Sequence, residues 1–477
     1  MDQKEQSRRL GTEPIPKLLR DMSIPAMVGV FVMGLYNLVD TIFISWFVGV
    51  EGVAGVTIAF PVMLIIMAVA AAVGIGGASV ISRRLGEGRG NEANQVFGNI
   101  LTLIIIFSVI GFIGAFTILE PVLLLFGATP VTLGYATEYL FPIMLGTIFF
   151  SFAFATNSII RSEGNARFAM MTMIIPSVIN ILLDPVFIIW LDMGVQGAAI
   201  ATVIAQASVS IVTIQYFVKG KSSLTPALAD FRLNFRVVKE VIVIGMPALV
   251  RQVAGSVMMI AINAMLIRFG GDFYVGVFGI VQRIAMFTLM PMLGVLQGMQ
   301  PIVGYNYGAK QYDRLKETVW LGLKVVTVFS IGVFLLAMFV PHWFMRIFTT
   351  DPATIAVGVE GIRIIFAAAI LIGVQVVSGG IYQALGMARP ALILSMARQV
   401  LFLIPLVLIL PHYFGVTGVW LAFPIADVLA FALSMFYLYR DRRIFLIRTK
   451  GDDLPPPPPR QSIQPSVRQK SAASQGV

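Results

Sequence analysis

The chain has 477 residues, of which 58% are hydrophobic and only 12% charged; a soluble globular protein carries about 25% charged residues, so most soluble folds are excluded. Cysteine is absent, which removes disulfide frameworks, thiolate nucleophiles and cysteine-ligated metal sites. The net charge of +10 would suggest a nucleic-acid partner in a soluble protein, so its distribution along the chain has to decide.

Residues 1–21 are polar and charged, with no early apolar core or small-residue cleavage site. They read as a cytoplasmic N-terminal segment, and the apolar run that follows as a retained membrane helix. A membrane-crossing helix needs about 20 apolar residues. On that measure six spans begin near Ile24, Val53, Val96, Tyr135, Phe168 and Val195, and six more near Val241, Tyr274, Thr318, Ile355, Ala391 and Val416. Prolines such as Pro25, Pro61, Pro142 and Pro176 interrupt these runs, which membrane helices tolerate. The two histidines, His342 and His412, each follow a proline at the end of an apolar run and read as interfacial residues, not as metal ligands.

Basic residues fall in alternate connections. Arg83, Arg84 and Arg89 follow the second span, Arg161 and Arg167 the fourth, Lys219 to Lys239 the sixth, Lys310 and Arg314 the eighth, and Arg389 the tenth; the ends of the chain are basic as well. The intervening connections carry Glu51, Glu120, Asp192, Asp272 and Asp351, with Arg268 and Arg346 as exceptions. The positive-inside bias places both termini in the cytoplasm and makes the span count even. Topology thus accounts for the charge, and no nucleic acid is required.

A shift of 221–222 residues superposes the two halves of the sequence. Pro25-Ala26 falls on Pro247-Ala248, Gly49-Val50-Glu51 on Gly270-Gly271-Asp272, and Gly88-Arg89 on Ala309-Lys310. Glu163-Gly164-Asn165-Ala166-Arg167 falls on Leu385-Gly386-Met387-Ala388-Arg389, and Gly194-Val195-Gln196-Gly197 on Gly415-Val416-Thr417-Gly418. With six spans in each half the repeats are parallel, related by an axis along the membrane normal. The expected fold is an all-α integral membrane protein of twelve transmembrane helices in two six-helix lobes related by a pseudo-two-fold. Its parts are a first lobe at 22–218, a cytoplasmic linker at 219–239, a second lobe at 240–443, and a disordered cytoplasmic tail at 444–477 that holds Pro455 to Pro459.

An ionisable residue inside a span is a functional candidate by default. Asp40 lies in mid-span one, with Tyr36 at i−4 and Asn37 at i−3 on the same helix face. Asp184 lies in span five with Asn180 at i−4, and Pro185 frees a backbone carbonyl beside it. Span six adds Thr202 and Gln206. Two carboxylates among amide, hydroxyl and phenol groups suit a site that binds a hard monovalent cation such as Na+ or exchanges a proton. Asp184, near the outer end of its span, suits a helix-closing role equally. The second half has Arg251, Gln252, Asn263, Gln282, Arg283, Arg398, Gln399 and Asp427. The repeat sets Asp427 opposite Gln206, an arginine would be its partner, and Arg251 reads as snorkelling to the cytoplasmic interface. Met33 and Met63, near Asp40, are candidate cavity-lining residues with Gln206 and Asp427. Gly74-Ile75-Gly76-Gly77 reads as helix packing and not as a phosphate loop, so no enzymatic motif stands out.

From about Lys17 to Arg443 the chain resembles the multidrug and toxic compound extrusion (MATE) transporters. The residues carrying the resemblance are Pro25, Asn37-Leu38-Val39-Asp40, Gly88-Arg89, Arg161-Ser162-Glu163-Gly164 and the stretch from Asn180 to Pro185. The branch of the DNA-damage-inducible F-type and related prokaryotic multidrug exporters is the most similar. The resemblance implies an H+- or Na+-coupled antiporter without a cofactor, in the inner membrane of a prokaryote, that exports amphipathic or cationic small molecules and acts as a monomer. It implies a coupling site at Asp40, partnered by Tyr36, Asn180, Asp184 and Thr202, with a bend of span one at Pro25. The second-lobe cation site of another branch needs a carboxylate in span seven, where this chain has Arg251 and Gln252. A flippase of lipid-linked precursors, built on a similar lobed plan with a basic cavity, is the alternative.

Overall fold

A computed structural model describes residues 3–48, 50–126 and 128–445. Most of the 444–477 tail lies outside this range, as do the side chain of Asn37 and Gly49 of the repeat comparison.

The described residues fold almost wholly as helices. The first half comprises α1 (Gln3–Thr12), α2 (Ile15–Phe47), α3 (Val50–Gly86), α4 (Gly90–Thr117), α5 (Leu119–Leu125), α6 (Pro130–Leu145), α7 (Thr147–Ser162), α8 (Ala166–Pro185) and α9 (Gly194–Val218). The second comprises α10 (Phe235–Gly270), α11 (Asp272–Gly308), α12 (Tyr312–Phe339), α13 (Pro341–Phe348), α14 (Pro352–Ile365), α15 (Ile372–Ala384), α16 (Ala388–Met396), α17 (Ile404–Ile409), α18 (Pro411–Arg440) and α19 (Arg442–Phe445). Ten stretches are long and apolar enough to cross a membrane, and two bent pairs bring the number to 12. The exposed face of α4 illustrates the lipid-facing surface: Ile106, Val109, Ile110, Ile113 and Phe116 all point outward. Their helical spacing puts them on one stripe, which only a hydrocarbon surround satisfies.

The repeat is visible in the irregularities of the backbone. The fourth span of each half is broken, by 57° between α6 and α7 and by 48° between α14 and α15. The fifth span of each half contains a π-helical stretch, Val186–Trp190 after α8 and Ala397–Leu403 between α16 and α17. Left-handed backbone recurs at Gly164 and Gly386 and at Gly194 and Gly415. It also recurs at Gly88 and Lys310, which shifts the pairing of that turn by one residue from Gly88-Arg89 on Ala309-Lys310. Lys310 occupies a conformation that ordinarily favours glycine.

The halves meet through two related contacts, α3 against α10 and α2 against α11. Backbones touch where α3 crosses α10: a Cβ added at Gly76 would sit 2.2 Å from the Val241 carbonyl oxygen, and one at Gly245 would sit 1.9 Å from that of Ala72. Small residues permit this approach between membrane helices. Further along α3, Ser82 donates to the Pro301 carbonyl at 2.9 Å and Ser79 to that of Gln383 at 2.7 Å. Arg83 and Arg84 then reach Glu240 at 3.3 and 3.1 Å. The basic turns of both halves therefore lie together at one end of the bundle, called here the basic end, and the halves are closed against each other there.

The N-terminal segment belongs to this closure. Leu10, Ile15, Leu18, Leu19 and Met22 are buried in one apolar cluster with Val295, Met299, Val303 and Tyr382 of the second half. Helix α2 begins at Ile15, nine residues before the apolar run suggests, because its first turns are amphipathic and cover the second half instead of entering lipid. The connection between the halves is also pinned. Asn99 of α4 donates to the carbonyls of Asp230 and Arg232 and accepts from the Asn234 amide at 2.7 Å.

Candidate functional site

Two polar regions lie inside the bundle. The first is within the first half, where α2, α8 and α9 pack together. Pro185 ends α8 by withholding a backbone donor, and the last turn of that helix carries Asp184. Asp184 is wholly buried and Asn180 nearly so. Asn180 Nδ2 donates to Asp184 Oδ1 at 3.1 Å and to Thr202 Oγ1 of α9 at 3.2 Å. One amide thus ties two helices and one carboxylate. Asp40 on α2 faces the same space, within electrostatic range of Asp184, and Tyr36 lies one turn below it, within range of both. Asn37 is on the same turn of α2, and its side chain falls outside the described residues.

Tyr139 of α6 completes this region and was not among the residues singled out from sequence. It is buried and within electrostatic range of Asp40, Tyr36 and Asp184. No sequence signal marks it, since a tyrosine in an apolar helix is ordinary.

The hydrogen-bond accounting of this region does not balance. Asp40 Oδ1, Asp184 Oδ2 and Asn180 Oδ1 are buried acceptor oxygens with no donor among the described residues. Buried polar atoms without partners are rare and costly. Three acceptors converging from α2 and α8 form a place for a positive species, either a proton shared with a carboxylate or a small hard cation coordinated by oxygen.

The second region is a cavity of about 360 Å3 between the halves. Met33 and Tyr36 of α2 and Gln206 of α9 contribute to its wall, with Arg161 of α7 and Arg251 of α10. Tyr36 stands between the two regions, belonging to the cavity wall and to the surroundings of Asp40. Other sequence candidates lie elsewhere. Met63 packs in the apolar core of the first half with Ile44, Leu140 and Ile188. Asp427 is buried within the second half, where Arg398 donates to its Oδ1 and Gln375 donates to its backbone carbonyl at 2.9 Å. Pro25 sits inside α2 at a point where the helix continues through it. Arg251 does not snorkel to the end of the bundle; it faces the cavity between the halves.

At the basic end, Glu163 caps α7 and is buried, 1% exposed. Ser222 Oγ donates to Oε1 at 2.6 Å, and the Ser223 amide and the Tyr216 hydroxyl donate to Oε2. Burial outweighs these donors and pushes the carboxyl up to about 7. Ser7 of α1 adds a hydrogen bond to the Glu163 carbonyl at 3.4 Å and one to Ser223 at 2.9 Å.

The MatE family model matches the chain twice, over residues 25–186 and 247–409, once in each half. A multidrug export protein MepA of Staphylococcus aureus is 26% identical over 437 residues, covering 90% of this chain and 95% of that protein. Among solved structures, a MATE multidrug transporter, DinF-BH, determined in complex with a small-molecule ligand, is 66% identical with a TM-score of 0.87, over 93% of this chain and 99% of that one. An outward-facing multidrug resistance MATE transporter is 28% identical with a TM-score of 0.86, over 93% of this chain and 98% of that one. The doubled family match coincides with the two halves already seen in the sequence and the backbone, and the chain belongs to the MatE family: it is a multi-pass membrane protein with the two-lobed, twelve-span fold of the multidrug and toxic compound extrusion (MATE) efflux transporters.

Proposed function

We propose that the chain is a cation-coupled antiporter that exports amphipathic small molecules by alternating access, with both termini and the basic end in the cytoplasm. The observation that carries this reading is the set of three orphan acceptors, Asp40 Oδ1, Asp184 Oδ2 and Asn180 Oδ1. Such a set is satisfied when a proton or Na+ enters. It is unsatisfied when the cation leaves, which gives the lobe two states of different energy. Tyr36 and the α2 backbone connect this change to the cavity wall. Pro25, inside the same helix, supplies a point where α2 can bend.

A cation and a substrate that favour opposite states of α2 exclude one another, and that exclusion is the coupling. A fluorescent cationic dye is an amphipath whose movement can be followed directly, which makes it a suitable probe. Its efflux from proteoliposomes, under separately imposed proton and Na+ gradients, tests the reading. One gradient should drive efflux by wild type, and Asp40→Asn should lose the response while remaining folded and dye-binding. Equal efflux with and without either gradient, or a fully responsive Asp40→Asn, removes the coupling site from Asp40.

A further inference from the structure

The charged side chains on the wall of the interlobe cavity are Arg161 and Arg251, and no carboxylate is among its lining residues. Neither arginine forms an ion pair among the described residues. Arg161 Nη1 donates to Gln297 Oε1 of α11 at 2.6 Å and Nη2 to Ser158 Oγ at 3.3 Å, so its planar group is held across the seam between the lobes. The remaining guanidinium donors of Arg161 are unpaired, and Arg251 has no hydrogen bond to any described residue. The nearest polar company on the wall is neutral: Gln252, Gln297 and Gln300.

Two uncompensated guanidinium groups inside a membrane protein are costly, and they lower that cost only by meeting an anion or water. A guanidinium presents its donors as a planar fork that fits a carboxylate, sulfonate or phosphate through paired hydrogen bonds. The acidic region around Asp40 lies on the other side of Tyr36, so the cavity and the cation site have opposite polarity. The rest of the wall, including Met33, Phe150, Met173 and Leu293, is apolar and suits a hydrophobic body.

We propose that the interlobe cavity contains an anion subsite formed by Arg161 and Arg251, which takes the carboxylate, sulfonate or phosphate group of an amphipathic ligand. This rests on the reading of the chain as an exporter of amphipaths and names a class of them, the anionic and zwitterionic ones. The anionic group can come from a soluble amphipath or from a lipid head; the chemistry recognised is the same.

The test is equilibrium binding to the full-length purified protein in a neutral detergent, which needs no ion gradient and so fails independently of the coupling reading. Two rhodamine dyes serve as probes: an ethyl ester, which is a cation, and its free acid, which is a zwitterion. The acid should bind wild type about tenfold more tightly than the ester, the scale of one charge-assisted hydrogen bond. Inorganic sulfate should displace the acid and not the ester. Arg161→Gln and Arg251→Gln should each bring the two affinities together with the ester affinity kept, and Arg251→Lys should retain most of the preference. A fluorescent short-chain phosphatidylglycerol compared with the matching phosphatidylcholine separates the sources: preference for the anionic lipid as well adds lipid heads to the ligands, and preference confined to the dye acid assigns the subsite to soluble amphipaths. Equal wild-type affinity for acid and ester, or a preference that survives both glutamine substitutions, overturns the proposal.

Discussion

Three buried carboxylates outside the interlobe cavity, with Glu163 beside them at the basic end, show how neighbours, and not burial alone, set what a side chain can do. Asp427 has Arg398 as a counter-charge, so its ionised form is held in place. Asp184 has only the Asn180 amide, and Asp40 Oδ1 has no donor among the described residues, so these two are the groups able to receive a cation. Glu163 is of another kind, surrounded by hydroxyls and an amide, with Tyr216 the titratable group beside it. Its carboxyl rises from an ordinary value of 4.5 to about 7 in the folded protein. The folded state therefore holds a proton that the released segment would lose, and the stabilisation is complete below about pH 4.5 and is lost as pH rises towards 7. Ser222 and Ser223 belong to the connection between the halves, so their attachment should weaken over that window. Hydrogen exchange of residues 219–227, corrected for the intrinsic rate, should accelerate up to about tenfold per pH unit in wild type. In Glu163→Gln the profile should be flat. A wild-type profile without slope between about pH 5 and 7 contradicts this assignment.

Among the elements, α3 and α10 matter most, because their crossing leaves no room for a side chain at Gly76 or Gly245. Gly245→Val would place a Cβ against the Ala72 carbonyl, a backbone atom that cannot rotate away. Overpacking of this kind typically costs about 1–3 kcal/mol, here charged to the state in which the basic end is closed. The absence of cysteine makes the effect measurable. A Cβ built at Gly304 lies 3.2 Å from Ser82 Cβ, close to the spacing of a disulfide. Oxidation should therefore join Ser82→Cys to Gly304→Cys in the otherwise native protein. Adding Gly245→Val should reduce the yield of that cross-link several-fold. An unchanged yield would mean that the crossing does not hold the lobes together.

At the scale of the molecule, the two-lobed plan was legible because its markers are local. Basic turns, breaker residues and glycines at left-handed positions recur at one offset, and the backbone repeats its breaks and π-helical stretches accordingly. Asp40, Asn180, Asp184 and Thr202 were legible because polar groups in apolar spans stand out, and the structure places them around one space. Tyr139 was hidden by being an ordinary helix residue. Arg161 was hidden by its position at the end of a span, where topology already accounts for a basic residue, and Arg251 by being assigned to the interface. Which side chains share a cavity depends on how far apart the lobes stand, and that is a property of the crossing of α3 with α10, not of any single span. The N-terminal segment was concealed by its own charge: its buried face, Leu10, Ile15 and Leu18, is spread over polar sequence.

The central claim is that movement of an amphipath and movement of a cation are obligatorily opposed through Asp40. Its most direct measurement uses proteoliposomes with no imposed ion gradient and a gradient of dye alone, with internal pH and Na+ followed by indicators. Wild type should drive protons or Na+ against the direction of dye flow, and Asp40→Asn should not. Dye that crosses in wild type with neither ion moving would contradict coupled exchange, and would leave the chain as a carrier whose buried acceptors serve only its architecture.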